Sequence, residues 1–501
     1  MINNSLKSKY FFIPIIIITV FYLVYELNYF RHWSSSEDLD LILIHNSLLL
    51  NTGIKAEYHD HPGHTQILLM SLWINFLNFI NIIEASSYND FKNSELIKNN
   101  FIELVKYTRF INFFSILLFA YTFYNIFKVT GKNKITSYLL TLLLITSYSL
   151  MVAVSHIRTE LLSATFIFLS FLFLMKTLNN RVLKKKNIFY LGLFFTLSVF
   201  CKFQSIFVFL FFPLLISVLK KNKISIDINY FENKKIHFFL SIIFILGIFL
   251  IWLKYVASIN YIFFPIGFFY LYLFINYLNN KYFRSKQFNY IFIFYFLLGI
   301  IIGFLLLFVF KPFHTNNINM IVNFLGTSSM MIQNSNPYEL SMIEIFKLIE
   351  LSIFTFGEYL KIIFISNSLN ELIIFLLSNL MFLILLKNSD YYKSYLKILI
   401  SLFGIIFIFS VRPLNNYLIY FIPIIYFYFI FLASKIRNTK IVNVAIILLI
   451  FININDAIDI IDNKKFRPDE NVKKSNCERS NKPNFYIERM RIEIIQKICK
   501  K

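Results

Sequence analysis

The run Phe11-Phe-Ile-Pro-Ile-Ile-Ile-Ile-Thr-Val-Phe-Tyr-Leu-Val24 is followed by Ser34-Ser-Ser-Glu37-Asp38-Leu-Asp40, then by Tyr58-His59-Asp60-His61-Pro62-Gly63-His64. The first stretch is an apolar anchor, and its neighbours extend it to bilayer length. The other two gather carboxylates and imidazoles in a chain that is otherwise oily. Ionisable groups beside lipid are costly and rarely idle. These stretches therefore read as a water-exposed loop at the mouth of a membrane bundle, and as its reactive end. Lys7 and Lys9 precede the anchor and no small-residue cleavage site follows it, so it reads as an uncleaved anchor.

Composition agrees with that reading. The chain of 501 residues is 57% hydrophobic and 15% charged, with a mean hydropathy of +0.64. Soluble domains are about half apolar and about a quarter charged, so the expected class is an all-α polytopic membrane protein. The net charge of +22 is informative through its placement. No basic soluble domain precedes residue 457, which argues against nucleic acid as a partner.

Hydrophobic runs bounded by charges predict about 11–13 transmembrane helices. They fall near 11–27, 110–127, 136–154, 161–176, 188–201, 204–219, 237–253, 257–277, 288–310, 371–387, 396–411, 417–433 and 441–455. Lysine clusters recur at every second connection, for example Lys128/Lys132/Lys134, Lys184/Lys185/Lys186, Lys281/Arg284/Lys286 and Lys435/Arg437/Lys440. The positive-inside bias makes those connections and the N-terminus cytoplasmic, with the protein integral to the cell (inner) membrane. Counting Gln66–Asn81 as a span would put every later cluster on the wrong side. That segment is therefore expected to lie in the outer interface or to re-enter, as is an amphipathic helix at 39–50. The stretch from Glu84 to Arg109 is expected to be outer loop. The layout is then a module at 1–220 with a first outer loop at 28–109, further spans at 221–455, and a polar extracytoplasmic tail at 456–501. An outer loop at 311–370 carries an amphipathic helix near 341–364. Cys201 reads as a small core residue, and Cys477 with Cys499 could pair in an extracytoplasmic tail.

Four polar features meet the outer face on this topology: Glu37, Asp38 and Asp40 with the His59–Gly63 turn; Arg158 and Glu160; Lys202; and Arg412 with Tyr417. Carboxylates and fixed cations around one wet cavity suit transfer from a phosphorylated, lipid-linked donor. A carboxylate can deprotonate an acceptor hydroxyl, and Lys or Arg can balance a departing phosphate.

On these residues the chain resembles the GT-C glycosyltransferases, which include protein mannosyltransferases and lipid A aminoarabinose transferases. Their acidic motif, the helix ending near a glycine and the acidic-Lys-Pro turn are similar to Asp38, Gly53 and Asp60-His61-Pro62-Gly63. The family's later acid, its Lys between short helices and its Arg/Lys-x-x-Tyr-like start resemble Glu160, Lys202 and Arg412–Tyr417. This chain departs in having Glu37-Asp38 for the usual Asp-Glu pair and His61 for the usual lysine. The resemblance implies an inverting transfer of a sugar from a polyprenyl phosphate to a lipid, glycan or protein acceptor. Asp38 would be the base, with Glu37 and Asp60 as the other candidates. Asp40, His61, Arg158, Glu160, Lys202, Arg412 and Tyr417 would contact substrate.

Each of these has a plainer reading. Asp38 could cap helix 39–50, Arg158 and Glu160 could pair, Lys202 could snorkel, and Arg412 could anchor the interface. No cofactor is required, but a divalent metal ion stays open, with His59, Asp60, His61, His64 and Glu160 as ligands. A lipid-linked glycan flippase and an O-antigen polymerase or ligase are the alternative functions. The absence of charges in the middle of spans argues against the flippase.

Overall fold

The computed structural model describes residues 3–29, 38–54, 63–93, 97–131, 133–180, 183–202, 204–216, 219, 263–283, 286–308, 342–366, 369–385, 389–410, 414–436 and 439–465. Among them every regular element is a helix. They are α1 Asn3–Val24, α2 Asp38–Asn51, α3 His64–Phe79, α4 Tyr88–Asn93, α5 Ile97–Thr108, α6 Ile111–Gly131, α7 Lys134–Ile145, α8 Tyr148–Val154, α9 Thr159–Asn179 and α10 Lys185–Cys201. The chain continues through α11 Ser205–Leu210, α12 Phe212–Leu215, α13 Phe263–Leu278, α14 Lys286–Phe308, α15 Met342–Lys361, α16 Leu369–Leu385, α17 Ser389–Phe409, α18 Leu418–Ala433 and α19 Thr439–Lys465. Helix satisfies the backbone where no water can, so an apolar chain of this length has this solution.

Among the described residues five helices are long and apolar enough to cross a membrane, or up to seven spans if each of two bent pairs counts as one. Other predicted spans fall on shorter helices such as α10 and α18. The predicted span 237–253 lies outside the described residues. The predicted span 204–219 is broken into α11 and α12, where Pro213 sits in the first turn of α12 and cannot continue the preceding helix's hydrogen bonds. The predicted helix near 341–364 is α15 with a wider turn at Ile362–Ser366. It does not cross alone. Ser410 donates to Ser352 O at 3.0 Å and Tyr359 to Leu414 O at 3.1 Å, which holds α15 at the end of α17. The chain then bends by 102° into α16.

The helices divide the bundle into two ends. Asn112, Glu160, Lys202 and Tyr417 lie at one end; Lys128, Lys176, Lys281 and Lys435 lie at the other. Exposed Ile18, Phe21, Leu376, Leu380, Leu448 and Phe451 cover the sides, the surface a bilayer would meet.

The first loop has a core of its own, separate from the main one. Leu43, Ile44, Ile67, Met70, Ile74, Phe101, Leu104 and Val105 are buried together. The stretch expected as loop from Glu84 to Arg109 thus contains α4 and α5; α5 forms because Phe101, Leu104 and Val105 recur at helical spacing and share this core. Helix α2 ends as its sequence suggests. Gly53, at φ +78°, lets Ile54 N–H reach Leu49 O at 2.9 Å and its own N–H reach Leu50 O at 3.1 Å, a left-handed cap that glycine adopts without strain. The outer face of α3 keeps Leu72, Phe76 and Phe79 exposed, as expected of a helix lying against lipid. The last helix runs on to Lys465, past the predicted boundary at 456. Cys477 and Cys499 lie outside the described residues, whereas Cys201 is a buried free thiol.

Candidate active site

Helices α9 and α10 form an antiparallel hairpin stitched by hydroxyls. Ser198 donates to Ser163 O at 2.7 Å, Ser163 reaches Ser198 O at 3.1 Å, and the Cys201 thiol donates to Thr159 O at 3.2 Å. These bonds set the first turn of α9 beside the last turn of α10. Glu160 is the second residue of α9 and Lys202 immediately follows α10. A carboxylate at a helix start and an ammonium at a helix end each suit the local dipole. Here they also meet, with Lys202 Nζ 3.2 Å from Glu160 Oε1 and their side chains 2% and 4% exposed. Lys202 has extended backbone (φ −154°, ψ 118°), so the chain leaves α10 at this point. Snorkelling does not account for a lysine this buried.

The ion pair is connected to the first loop. Gly63 N–H donates to Cys201 O at 3.1 Å, and Thr65 Oγ1 to Leu197 O at 2.8 Å. The start of α3 is therefore pinned to the turn that carries Lys202. Across the site, Asn112 donates to Val154 O at 2.9 Å and His156 O at 2.8 Å. These bonds fix the crossing between α8 and α9, where half-buried Arg158 precedes Glu160.

Some nominated residues are described and others are not. Glu37, Asp60, His61 and Arg412 lie outside the described residues, as does His59. Asp38 and Asp40 occupy the first turn of α2, but their side chains lie outside what is described. Tyr417 is buried against Phe409, with ring centroids 5.2 Å apart. Tyr420, one helical turn on, was missed. It is fully buried, and its hydroxyl lies within electrostatic range of Glu160. The i, i+3 spacing from Tyr417 was the signal that could have found it. Ser205 Oγ and Gln66 Oε1 are also buried, with no hydrogen-bond partner among the described residues. Both lie in turns joined to Lys202. A buried polar atom left unmatched is costly, so these turns suit a polar ligand.

Two further buried ionisable residues escaped the sequence reading. Arg109 is fully buried at the joint of α5 and α6. Glu371, 1% exposed in the first turn of α16, lies near Tyr426 in the interior of the bundle. Beside it Asn370 donates to Asn453, whose own amide donates at 3.0 Å to Leu143 O near the α7–α8 bend.

Among the described residues no three His, Cys, Asp or Glu side chains group as metal ligands do. His64, near Phe200 with ring centroids 6.2 Å apart, does not join Glu160 in such a set. His59, Asp60 and His61, the other expected ligands, lie outside the described residues.

No family model matches the chain, and no curated protein does. Among solved structures it is similar to the archaeal oligosaccharyltransferase AglB from Archaeoglobus fulgidus, in complex with an inhibitory peptide and a dolichol-phosphate. The TM-score is 0.48 at 12% identity, over 95% of this chain and 59% of that one. The chain thus spans less than two thirds of the neighbour's length, and a likeness of that degree carries no argument about activity.

Proposed function

We propose that this chain is an integral membrane glycosyltransferase that takes a sugar from a polyprenyl-phosphate donor, with its active site at the end of the bundle holding Glu160 and Lys202. The observation that carries the reading is the buried Lys202–Glu160 pair, joined through Gly63 and Thr65 to the acidic first loop. A buried ammonium is a compact point charge suited to a phosphate. Glu160, 3.2 Å away, holds it in place until the donor arrives. Ser205, Gln66 and Arg158 surround the same turns and would contact the donor's polar head, with Arg412 as a further cation.

The acceptor is a lipid, glycan or protein hydroxyl. Asp38, at the start of α2, takes its proton as the oxygen attacks the anomeric carbon from the face opposite the phosphate. The phosphate leaves as a stable anion and needs no acid, unlike the leaving group in glycoside hydrolysis. The positive-inside bias assigns this end to the extracytoplasmic side.

The test is transfer of radiolabelled sugar from a panel of polyprenyl-phosphate donors by membranes carrying wild type or Asp38→Asn at matched protein level. Removing a general base costs roughly 10²–10⁴-fold in rate, so the variant is expected to fall by at least the lower figure. Equal rates would remove Asp38 from the mechanism and pass the role to Glu37 or Asp60.

A second reading, transport of a lipid-linked glycan, draws on Glu371. An ionisable residue inside the bundle, near two bent helix pairs, is a feature of transporters. Passage of a fluorescent lipid-linked glycan across vesicles, lost in Glu371→Gln but not in Asp38→Asn, would favour it over transfer.

A further inference from the structure

The lysine-bearing end of the bundle has a construction that helix capping alone does not explain. Helices α6, α9 and α18 all finish there and converge. Phe123 of α6 meets Phe168 of α9 at 4.8 Å between centroids, and Phe171 of α9 meets Phe427 of α18 at 5.9 Å. Gly131 at the end of α6 lies so near Ile430 that a Cβ there would be 2.6 Å from its side chain. Each helix brings one half-buried lysine: Lys128 and Lys176 in the last turns of α6 and α9, and Lys435 just beyond α18.

These ammonium groups do not simply extend into water. Lys128 lies over Tyr124 at 5.9 Å, Lys176 over Phe173 at 5.0 Å, and Lys435 over Phe431 at 5.3 Å. In each case the ring belongs to the preceding turn of the same chain, on the bilayer side. The cation–π contact therefore holds each charge at the level of the aromatic belt, where headgroup phosphates lie. Lys281 is treated alike, between Tyr277 and Tyr282 at 5.4 and 4.9 Å. Lys128 and Lys176 are also close enough to repel one another. Complementing a helix dipole needs one cation per helix end and gives no reason to bring two together at phosphate depth.

We propose that Lys128, Lys176 and Lys435 form a binding site for the phosphate of an anionic phospholipid headgroup, with the acyl chains running down the apolar sides of the bundle. Such a site holds the ends of α6, α9 and α18 together by neutralising their charges. It stands independently of the proposed transferase activity, since it lies at the opposite end from Lys202.

The test uses the purified full chain in neutral detergent, measuring its thermal unfolding midpoint with added phosphatidylglycerol, phosphatidylcholine or inorganic phosphate. Phosphatidylglycerol is expected to raise the midpoint well above the other two additions, in a manner weakened by salt. The triple Lys128→Gln/Lys176→Gln/Lys435→Gln variant should lose half or more of that increase, and the corresponding Lys→Arg variant should keep it. An equal increase with phosphatidylcholine, or an undiminished one in the Gln variant, would overturn the proposal. An equal increase with inorganic phosphate would make the site one for free phosphate and overturn the lipid assignment. If the Gln variant does not fold, native mass spectrometry of wild type decides. Selective retention of phosphatidylglycerol over phosphatidylcholine supports the site, and equal retention overturns it.

Discussion

Lys202→Met should abolish sugar transfer and also destabilise the protein, whereas Lys202→Met combined with Glu160→Gln should recover the fold without recovering activity. The reason is the burial of the pair, 3.2 Å apart with side chains 2% and 4% exposed. Removing one partner of a buried pair leaves the other charge stranded, at a cost of about 3–5 kcal/mol. Replacing both by neutral groups of similar size is often neutral or better. Thermal unfolding of the two variants measures the first effect. Activity separates structure from chemistry: if Lys202 holds the donor phosphate, the double variant stays at least about 10²-fold down, the scale of losing a charged group that stabilises a developing anion. A double variant with wild-type transfer would make the pair purely structural.

The second large effect lies in the helix that carries Lys202. Helices α10 and α14 approach so closely that a Cβ on Gly192 would stand 2.1 Å from Phe296 O, and one on Gly299 the same distance from Phe189 O. The obstacles are backbone atoms, which no rotamer change can move aside. Gly299→Val should therefore force the pair apart, lowering stability by about 3 kcal/mol or more, at or beyond the upper end of typical overpacking costs. It should also lower transfer, because α10 sets the position of Lys202. Gly357 of α15 serves as the control, since nothing stands within 4 Å of its added Cβ. Gly357→Ala should be neutral or add about 0.5–1 kcal/mol through helix propensity. Unfolding midpoints for both variants in the same detergent check this, and equal behaviour would show that the α10–α14 contact is loose.

Much of this architecture is readable without coordinates, because lipid leaves the backbone few choices. Apolar runs mark most of the helices, and lysines at alternate connections mark one end. The expected helix at 39–50 falls within a residue of the observed limits of α2, Asp38–Asn51. Helix α5 is not found by a search for spans, since its polar residues lower the mean hydropathy while Phe101, Leu104 and Val105 still form one buried stripe. The partner of Glu160 was also illegible. Arg158, two residues away, is the obvious local choice, yet Lys202 lies 42 positions on and arrives only because the serines of α9 and α10 lock the hairpin. Tyr420 was passed over because hydropathy treats a tyrosine in a span as lipid-facing, whereas packing turns it toward the ion pair. Glu371 stands in the sequence only as the first residue of the expected span 371–387. The bend between α15 and α16 instead carries it into the interior of the bundle.

The most direct test of the central claim is an experimental structure with a non-hydrolysable polyprenyl-phosphonate sugar bound. The expected result places a phosphonate oxygen within about 4 Å of Lys202 Nζ, the range of an ion pair, with the anomeric carbon facing the start of α2. A phosphonate bound elsewhere, with Lys202 still held against Glu160, would contradict it.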